Sequence, residues 1–250
     1  MLCDQSRRRL SVSVVVGLAL TLAALLACKK KTPPPPAPSP ASSAPAARCA
    51  SGRSIDPPHA ELNEAVAVMK AKEYAKAQQL LDALVKKYPD SATVRVWRGD
   101  AALFDEKKTE LAGADEALPF YGDAEKLHDL GCKLAEMEHY YLLFDSALAH
   151  LRKDEAKPAL HHLEAMKQQW PDSADVFYNS ARAYCLDGNV DKCAADFEQA
   201  LAIAKALRRP KFLRSHHSVD DWIRRSRKQS EFPPLRKDPR YAKIIAQASR

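Results

Sequence analysis

Glycine is scarce in this chain, seven residues in 250, and no stretch sustains the alternation of apolar and polar residues that a half-buried strand needs. Ala, Leu, Lys and Glu are abundant instead, so the composition predicts helices rather than sheets. Local signatures of chemistry are missing too. The sequence holds no glycine-rich phosphate loop, no H-E-x-x-H, no nucleophile elbow and no cysteines at metal-ligand spacing. No acid and base, and no nucleophile and base, can be placed together. These absences argue against an enzyme and leave no catalytic residue, metal or cofactor to expect. With 46% hydrophobic and 28% charged residues the chain has a globular composition, long enough for one core or one extended array.

The N-terminus is different. Arg7, Arg8 and Arg9 precede an apolar run from Leu10 to Ala27, and Cys28 is followed by Lys29, Lys30 and Lys31. A basic segment, an apolar segment and small or aliphatic residues before the break are the marks of an export signal. Leu25-Leu26-Ala27-Cys28 resembles the lipobox of bacterial lipoproteins. That resemblance implies acylation of Cys28, cleavage before it, and a mature protein held on a membrane by two or three acyl chains, where one chain would hold only marginally. Eighteen apolar residues are also just enough to span a bilayer, and three basic residues on each side give no orientation, so an uncleaved anchor is the alternative.

Residues 32–55 read as a linker. PPPPAPSP and ASSAPAA carry almost nothing apolar of any size and cannot bury enough surface to fold. Such a tract favours polyproline II and reaches up to roughly 80 Å at about 3.1 Å per residue. It holds the folded part away from its anchor, either as a plain tether or to clear the membrane and enter the peptidoglycan layer.

Beyond it the sequence echoes itself. Residues 87–94 read KYPDSATV and residues 169–176 read QWPDSADV, each between amphipathic segments. Counting back from Pro89, Ala65, Ala77, Leu81 and Leu84 fall where a helical hairpin of 34 residues needs small or apolar contacts; from Pro171, Ala147, Ala159, Leu163 and Met166 do the same. From Ala174 to Lys205, Tyr178-Asn179-Ser180-Ala181-Arg182-Ala183-Tyr184, Gly188, Phe197 and Ala200-Leu201 alternate small with large so that two helices can approach. This resembles the tetratricopeptide repeat family, with four units starting near Pro58, Ala92, Tyr140 and Ala174. The resemblance implies an all-α array of antiparallel hairpins stacked as a right-handed solenoid. In the second unit Leu111 and Asp115 stand where a small and a large apolar residue are expected. Residues 123–139 fit an extra helix, the start of a rephased repeat, or part of one helix from about Asp123 to Arg152, which no proline interrupts.

Phe232-Pro233-Pro234-Leu235-Arg236-Lys237-Asp238-Pro239-Arg240-Tyr241 resembles the closing segment of bacterial tetratricopeptide arrays. Asp238 suits an N-cap, Pro239 a first helical position, and Tyr241, Ile244 and Ile245 a short apolar face, so the segment is expected to cover the last hairpin, with Trp222 and Ile223 in the core. The expected boundaries are 1–27 for the signal, 28–57 for lipidated cysteine and linker, 58–209 for the repeats and 210–250 for the capping helices.

Four histidines, His128, His139, His150 and His161, recur every eleven residues, but Pro158 and a turn near Asp154 break the helix that would align them. Helix-surface and packing roles explain them as well as metal binding does. Cys49, Cys132, Cys185 and Cys193 remain once Cys3 leaves with the signal and Cys28 takes lipid. Cys185 and Cys193 flank a hairpin turn at a separation that can be bridged, or are small buried contacts; Cys49 with Cys132 is conceivable through the linker's freedom. From Lys205 to Arg250 there are fourteen Lys and Arg against four Asp and Glu. That excess is a solvated helix face or a patch for an anionic surface or acidic partner, and export removes most nucleic acid from consideration.

What is left is recognition by shape. The tetratricopeptide resemblance implies a concave groove lined by the first helix of each hairpin: Leu62, Asn63, Val66 and Lys70; Val96, Trp97 and Asp100; Tyr141, Phe144 and Leu148; Tyr178, Asn179 and Arg182. Asn63, Lys70, Asn179 and Arg182 resemble part of the family's clamp for a terminal carboxylate, an incomplete set spread over distant repeats. The expected function is a lipid-anchored, periplasm-facing envelope adaptor, on the outer rather than the inner membrane, that binds another envelope protein or peptide. A structural tether from membrane to cell wall through the linker and basic tail is the alternative, and an enzyme of unrecognised type comes third.

Overall fold

The computed structural model describes residues 49, 56–57, 59–213 and 217–249. The apolar run, Cys28 and the Pro-rich tract lie outside them. Among the described residues eleven helices follow one another and there is no strand. Four hairpins pair α1 (His59–Lys70) with α2 (Tyr74–Lys87), α3 (Ala92–Leu103) with α4 (Glu110–Asp129), α5 (Glu136–Arg152) with α6 (Ala156–Gln169), and α7 (Ala174–Leu186) with α8 (Val190–Lys205). The first helices also touch in sequence, α1 to α3, α3 to α5 and α5 to α7, so they form an inner row.

Turn chemistry explains where the helices stop. Three hairpins reverse through a three-residue connection with one left-handed residue: Lys72 at φ 63°, Asp154 at φ 56° and Gly188 at φ 81°. Only the last is a glycine. Between hairpins, each Pro-Asp-Ser turn is tied back to the preceding pair through its aromatic residue: Tyr88 Oη donates to Glu61 Oε1 at 3.3 Å and Trp170 Nε1 to Glu136 Oε1 at 3.3 Å. Ser91 then caps α3 by accepting from the Val94 amide at 3.1 Å, whereas the Ser173 hydroxyl pairs with Tyr140 Oη at 2.8 Å.

The second hairpin departs from expectation. Residues 123–139 are neither an extra helix nor part of one helix to Arg152. Residues 123–129 are the end of the long α4, Gly131 at φ 94° breaks the chain direction, and α5 begins at Glu136, four residues before the expected Tyr140. Leu111 and Asp115 do not serve as apolar contacts: both are exposed, and Asp115 pairs with Lys153 at 2.9 Å. The buried stripe of α4 is Gly113, Ala114, Ala117, Tyr121, Ala124 and Leu127, a shifted register set by Thr109, whose side chain accepts from the Ala112 amide at 3.2 Å. Close packing makes that register necessary. A Cβ on Gly99 would stand 2.4 Å from Tyr121 Cε1, and one on Gly113 2.9 Å from the Ala102 carbonyl oxygen.

The core is divided along the array, as stacking of hairpins requires. One cluster joins the first hairpin to α3 through Leu81, Val94 and Ala101; the next joins α3, α4 and α5 through Val96, Tyr121 and Leu142. A third joins α5, α6 and α7 through Tyr140, Leu163, Met166 and Val176. The last hairpin has no further hairpin to cover it. Instead α9 (Val219–Lys228), α10 (Pro233–Lys237) and α11 (Pro239–Ala248) lay Trp222, Ile223, Phe232, Leu235 and Ile244 against Tyr178, Phe197 and Leu201. Asp238 caps α11 from the Arg240 amide at 2.8 Å, with Pro239 in the first helical position. Ser218 and Asp221 form a reciprocal capping box on α9. No helix among the described residues is long and apolar enough to cross a membrane.

Candidate functional site

On the inner row, α5, α7 and the capping helix α9 enclose a cleft of about 350 Å³. Phe144, Leu148 and Arg152 line it from α5, Asp175, Tyr178, Asn179 and Arg182 from α7, and Trp222, Arg225 and Gln229 from the cap and its end, with Glu110 and His217 completing the wall. Helical spacing explains the first two sets. Residues 144, 148 and 152 recur every four positions on α5, as 175, 178, 179 and 182 do at three and four on α7, so each set shares one face.

Two of the expected groove residues are already committed elsewhere. Arg182 donates to Glu231 Oε1 through Nε at 3.2 Å and Nη2 at 2.6 Å, and through Nη1 to Asn179 Oδ1 at 2.7 Å. Asn179 in turn donates to the Asp175 carbonyl at 2.9 Å. The pair is a strut between α7 and the cap. Arg152 is partly committed: Nη1 donates to the Leu103 carbonyl and its guanidinium lies over the Phe104 ring at 5.7 Å.

The cap end of the cleft is unlike the rest. The Tyr178 and Trp222 rings lie 4.4 Å apart, His217 meets Trp222 edge-on at 4.7 Å, and the Arg225 guanidinium sits 5.3 Å from the Trp222 ring centre. Tyr178 and Trp222 are each 1% exposed, and Tyr178 Oη and Trp222 Nε1 find no hydrogen-bond partner among the described residues. Leaving such a group unpaired costs about 1–3 kcal/mol. Burial raises the Tyr178 hydroxyl pKa, while Arg182 and Arg225 oppose the shift. Burial likewise raises the Asp175 carboxyl, against the pull of His217 and Arg225.

The remaining expected residues do not converge on this cleft. Asn63 and Lys70 are exposed on α1, and Trp97 packs half-buried against the core of the first hairpin. Tyr141 is half-buried between the two middle clusters. Phe144, Tyr178, Asn179 and Arg182 are brought together, with Leu148. Val96 and Asp100 are core. Arg152, Asp175, His217, Trp222 and Arg225 were not legible as cleft residues, because the cap that brings three of them there has no counterpart in the repeat period.

The histidines pair off rather than align. His128 lies tilted against His139 at 4.5 Å, His150 stacks near His162 at 5.8 Å, and burial pulls the His162 pKa down to about 4. Among the described residues no group of three or more His, Cys, Asp or Glu side chains is placed to hold a metal ion. Cys185 and Cys193 stand at bridging distance across the α7–α8 turn, with Cα atoms 5.2 Å apart, as do Cys49 and Cys132, with Cα atoms 4.9 Å apart.

Residues 60–91, which span α1, α2 and the turn after them, match the tetratricopeptide repeat family. No curated protein matches the chain.

Proposed function

We propose that this protein is a lipid-anchored adaptor of the bacterial cell envelope that holds a partner protein through the inner face of its helical array. The repeat match and the consecutive hairpins support partner binding in general, since arrays of this kind work by surface complementarity rather than chemistry. The observation that carries the reading is the cleft of about 350 Å³ between α5, α7 and α9, in which the aromatic rings of Phe144, Tyr178 and Trp222 stand beside Arg152 and Arg225. Aromatic and arginine side chains are the groups that dominate protein interfaces.

The envelope location rests on the sequence ahead of the array. A basic start, an apolar run and Leu25-Leu26-Ala27-Cys28 favour export and acylation at Cys28, and two cysteine pairs at bridging distance suit an oxidising compartment. Crosslinking in intact envelopes, read by mass spectrometry, tests the adaptor reading: a partner captured by the wild type is lost in a Phe144→Glu variant. Equal capture by both removes the inner face from the function. Acyl labelling of a Cys28→Ser variant tests the anchor separately, and label retained without the thiol rules it out.

A further inference from the structure

Charge is divided along the chain. Residues 56–204 carry seventeen Lys and Arg against twenty-seven Asp and Glu, and residues 205–250 fourteen against four, so the array is acidic and its cap basic. The acids of the cap are engaged within the fold: Asp221 closes the capping box of α9 and pairs with Arg224, Asp238 caps α11 and pairs with Arg240, and Glu231 is buried against Arg182. That leaves Asp220. Arg236 is engaged too: its Nη1 donates to the Ser226 and Gln229 carbonyls at 2.9 Å, which closes the C-terminus of α9 and joins it to α10, and Tyr241 Oη of α11 meets Ser226 Oγ at 2.8 Å. On the three helices so joined, Arg227, Lys228, Lys237 and Lys243 stand exposed, with no acidic partner among the described residues.

The outward face of the cap presents charge without an apolar anchor. Trp222, Ile223, Leu235 and Ile244 turn inward onto the last hairpin, and each exposed residue described from 218 to 249 is charged or polar, or is proline or alanine. Protein partners are held by aromatic and other large side chains seated in pockets, which this face lacks. A second copy of the chain suits it no better, because much of the array's acid is paired with the array's own cations: Glu61 with Lys87, Glu106 with Lys72, Asp115 with Lys153 and Asp196 with Lys167. A layer of mobile anionic headgroups needs neither pocket nor fixed geometry. We propose that the cap is a membrane-contacting surface, on which Arg227, Lys228, Lys237 and Lys243 bind anionic phospholipid headgroups by charge alone, while the acidic array is turned away from the same surface. The contact rests on the N-terminal anchor of the reading above for its strength. A tether keeps the cap at high local concentration beside the bilayer, and between Asp4 and Asp56 the chain holds no acidic residue to oppose it.

The test reconstitutes the full chain from detergent with vesicles of phosphatidylcholine, alone or mixed with phosphatidylglycerol, and reads lysine acetylation by mass spectrometry after flotation. Lys228, Lys237 and Lys243 are expected to react several-fold more slowly on the anionic vesicles than on the neutral ones, while Lys86 and Lys157, exposed on the array, react alike on both. High salt is expected to abolish the difference. Each cation near an anionic surface contributes about fivefold to such binding, so Arg227→Gln/Lys237→Gln/Lys243→Gln is expected to lose about a hundredfold and return Lys228 to its rate on neutral vesicles, with the melting temperature unchanged. Equal labelling of the cap on both vesicles overturns the contact, as does equal protection of Lys86 and Lys157. Protection that grows with protein concentration in detergent assigns the face to a second copy instead, and protection found only in whole envelopes assigns it to another polymer. Flotation separates this contact from the anchor. A chain that floats with both vesicles but labels alike keeps the anchor and loses the lipid contact; one that floats only with anionic vesicles keeps the contact and loses the anchor; one that floats with neither loses both.

Discussion

Asp100 of α3 and Asp145 of α5 share a side-chain hydrogen bond inside the protein, at the junction of the second and third hairpins. Tyr121 of α4 donates its hydroxyl to Asp100 Oδ1 at 2.9 Å, and Arg152 is the cation that acts on Asp145. Tyr140 and Tyr141 feel the Asp145 charge from the same helix. Two carboxylates this close and this buried cannot both be ionised cheaply, so they hold a proton between them. Burial pushes Asp100 up to about 7 and raises Asp145 well above the usual carboxylate range.

A carboxyl whose folded pKa lies above its unfolded value binds more protons folded than unfolded, so stability falls as pH rises through that window, here from about 4 to about 7. His162 pushes the other way: it is neutral in the fold, with a pKa near 4, so it lends stability as pH rises toward its ordinary value. The quantity to measure is therefore the difference between wild type and Asp145→Asn, in which His162 cancels. Asn keeps a hydrogen-bonding partner for Asp100 and removes the second charge. The variant is expected to gain on wild type by about 1–3 kcal/mol between about pH 5 and pH 7.5 in urea unfolding. A difference independent of pH would mean that no proton is shared.

Gly99 admits Tyr121, the same ring that supports Asp100. A Cβ at 99 would overlap Tyr121 Cε1 at 2.4 Å, and the ring is held in place by its hydroxyl bond and by the packing of α4. Gly99→Ala is expected to cost about 1–3 kcal/mol in chemical denaturation despite the better helix propensity of alanine. A stabilised variant would show that α4 moves away freely.

The hairpin array was legible because its contacts are local and periodic. Ala65, Ala77, Leu81 and Leu84 in the first hairpin, and Ala147, Ala159, Leu163 and Met166 in the third, are all buried where counting from Pro89 and Pro171 puts them. Asp238 and Pro239 open α11 as their residue types require. The second hairpin was not legible, since its turn spans residues 104–109 and shifts α4 out of the repeat register. The cleft was half legible. Periodicity identifies the faces of α5 and α7, but the wall formed by Trp222 and Arg225 depends on how the cap folds back, which no spacing encodes. The repeat resemblance implies Asn179 and Arg182 in the groove, and their bonds to each other and to Glu231 show why position in the repeat alone cannot distinguish a strut from a ligand contact.

The Cys185–Cys193 pair closes a short loop across the α7–α8 turn, eight residues apart in sequence. Restricting so short a loop in the unfolded chain is worth about 2–3 kcal/mol in the chain-entropy picture. Reductant is expected to lower the melting temperature of wild type and of each double variant, Cys49→Ser/Cys132→Ser and Cys185→Ser/Cys193→Ser, since each double variant keeps one pair. Insensitivity of all three to reductant would mean the thiols are free. Nonreducing peptide mapping checks each pairing directly.

Arg182 and Glu231 join the array to its lid through a buried ion pair, 11% and 5% exposed at the side chains. Such a pair gives little net stability over an apolar pair of the same size, but breaking it leaves a buried charge without a partner, at a cost of about 3–5 kcal/mol. Arg182→Met is therefore expected to be far more damaging than the double change Arg182→Met with Glu231→Gln. The damage has a location. α9 to α11 are held to the last hairpin by a small apolar contact around Trp222, Phe232 and Leu235, by an exposed Arg240–Asp191 pair and by this buried pair, so hydrogen exchange in residues 219–248 should rise in the single variant while α3 to α6 keep their protection. Uniform loss of protection along the array would show that the lid and the hairpins unfold as one unit. Equal stability of the single and double variants would show that solvent reaches Glu231.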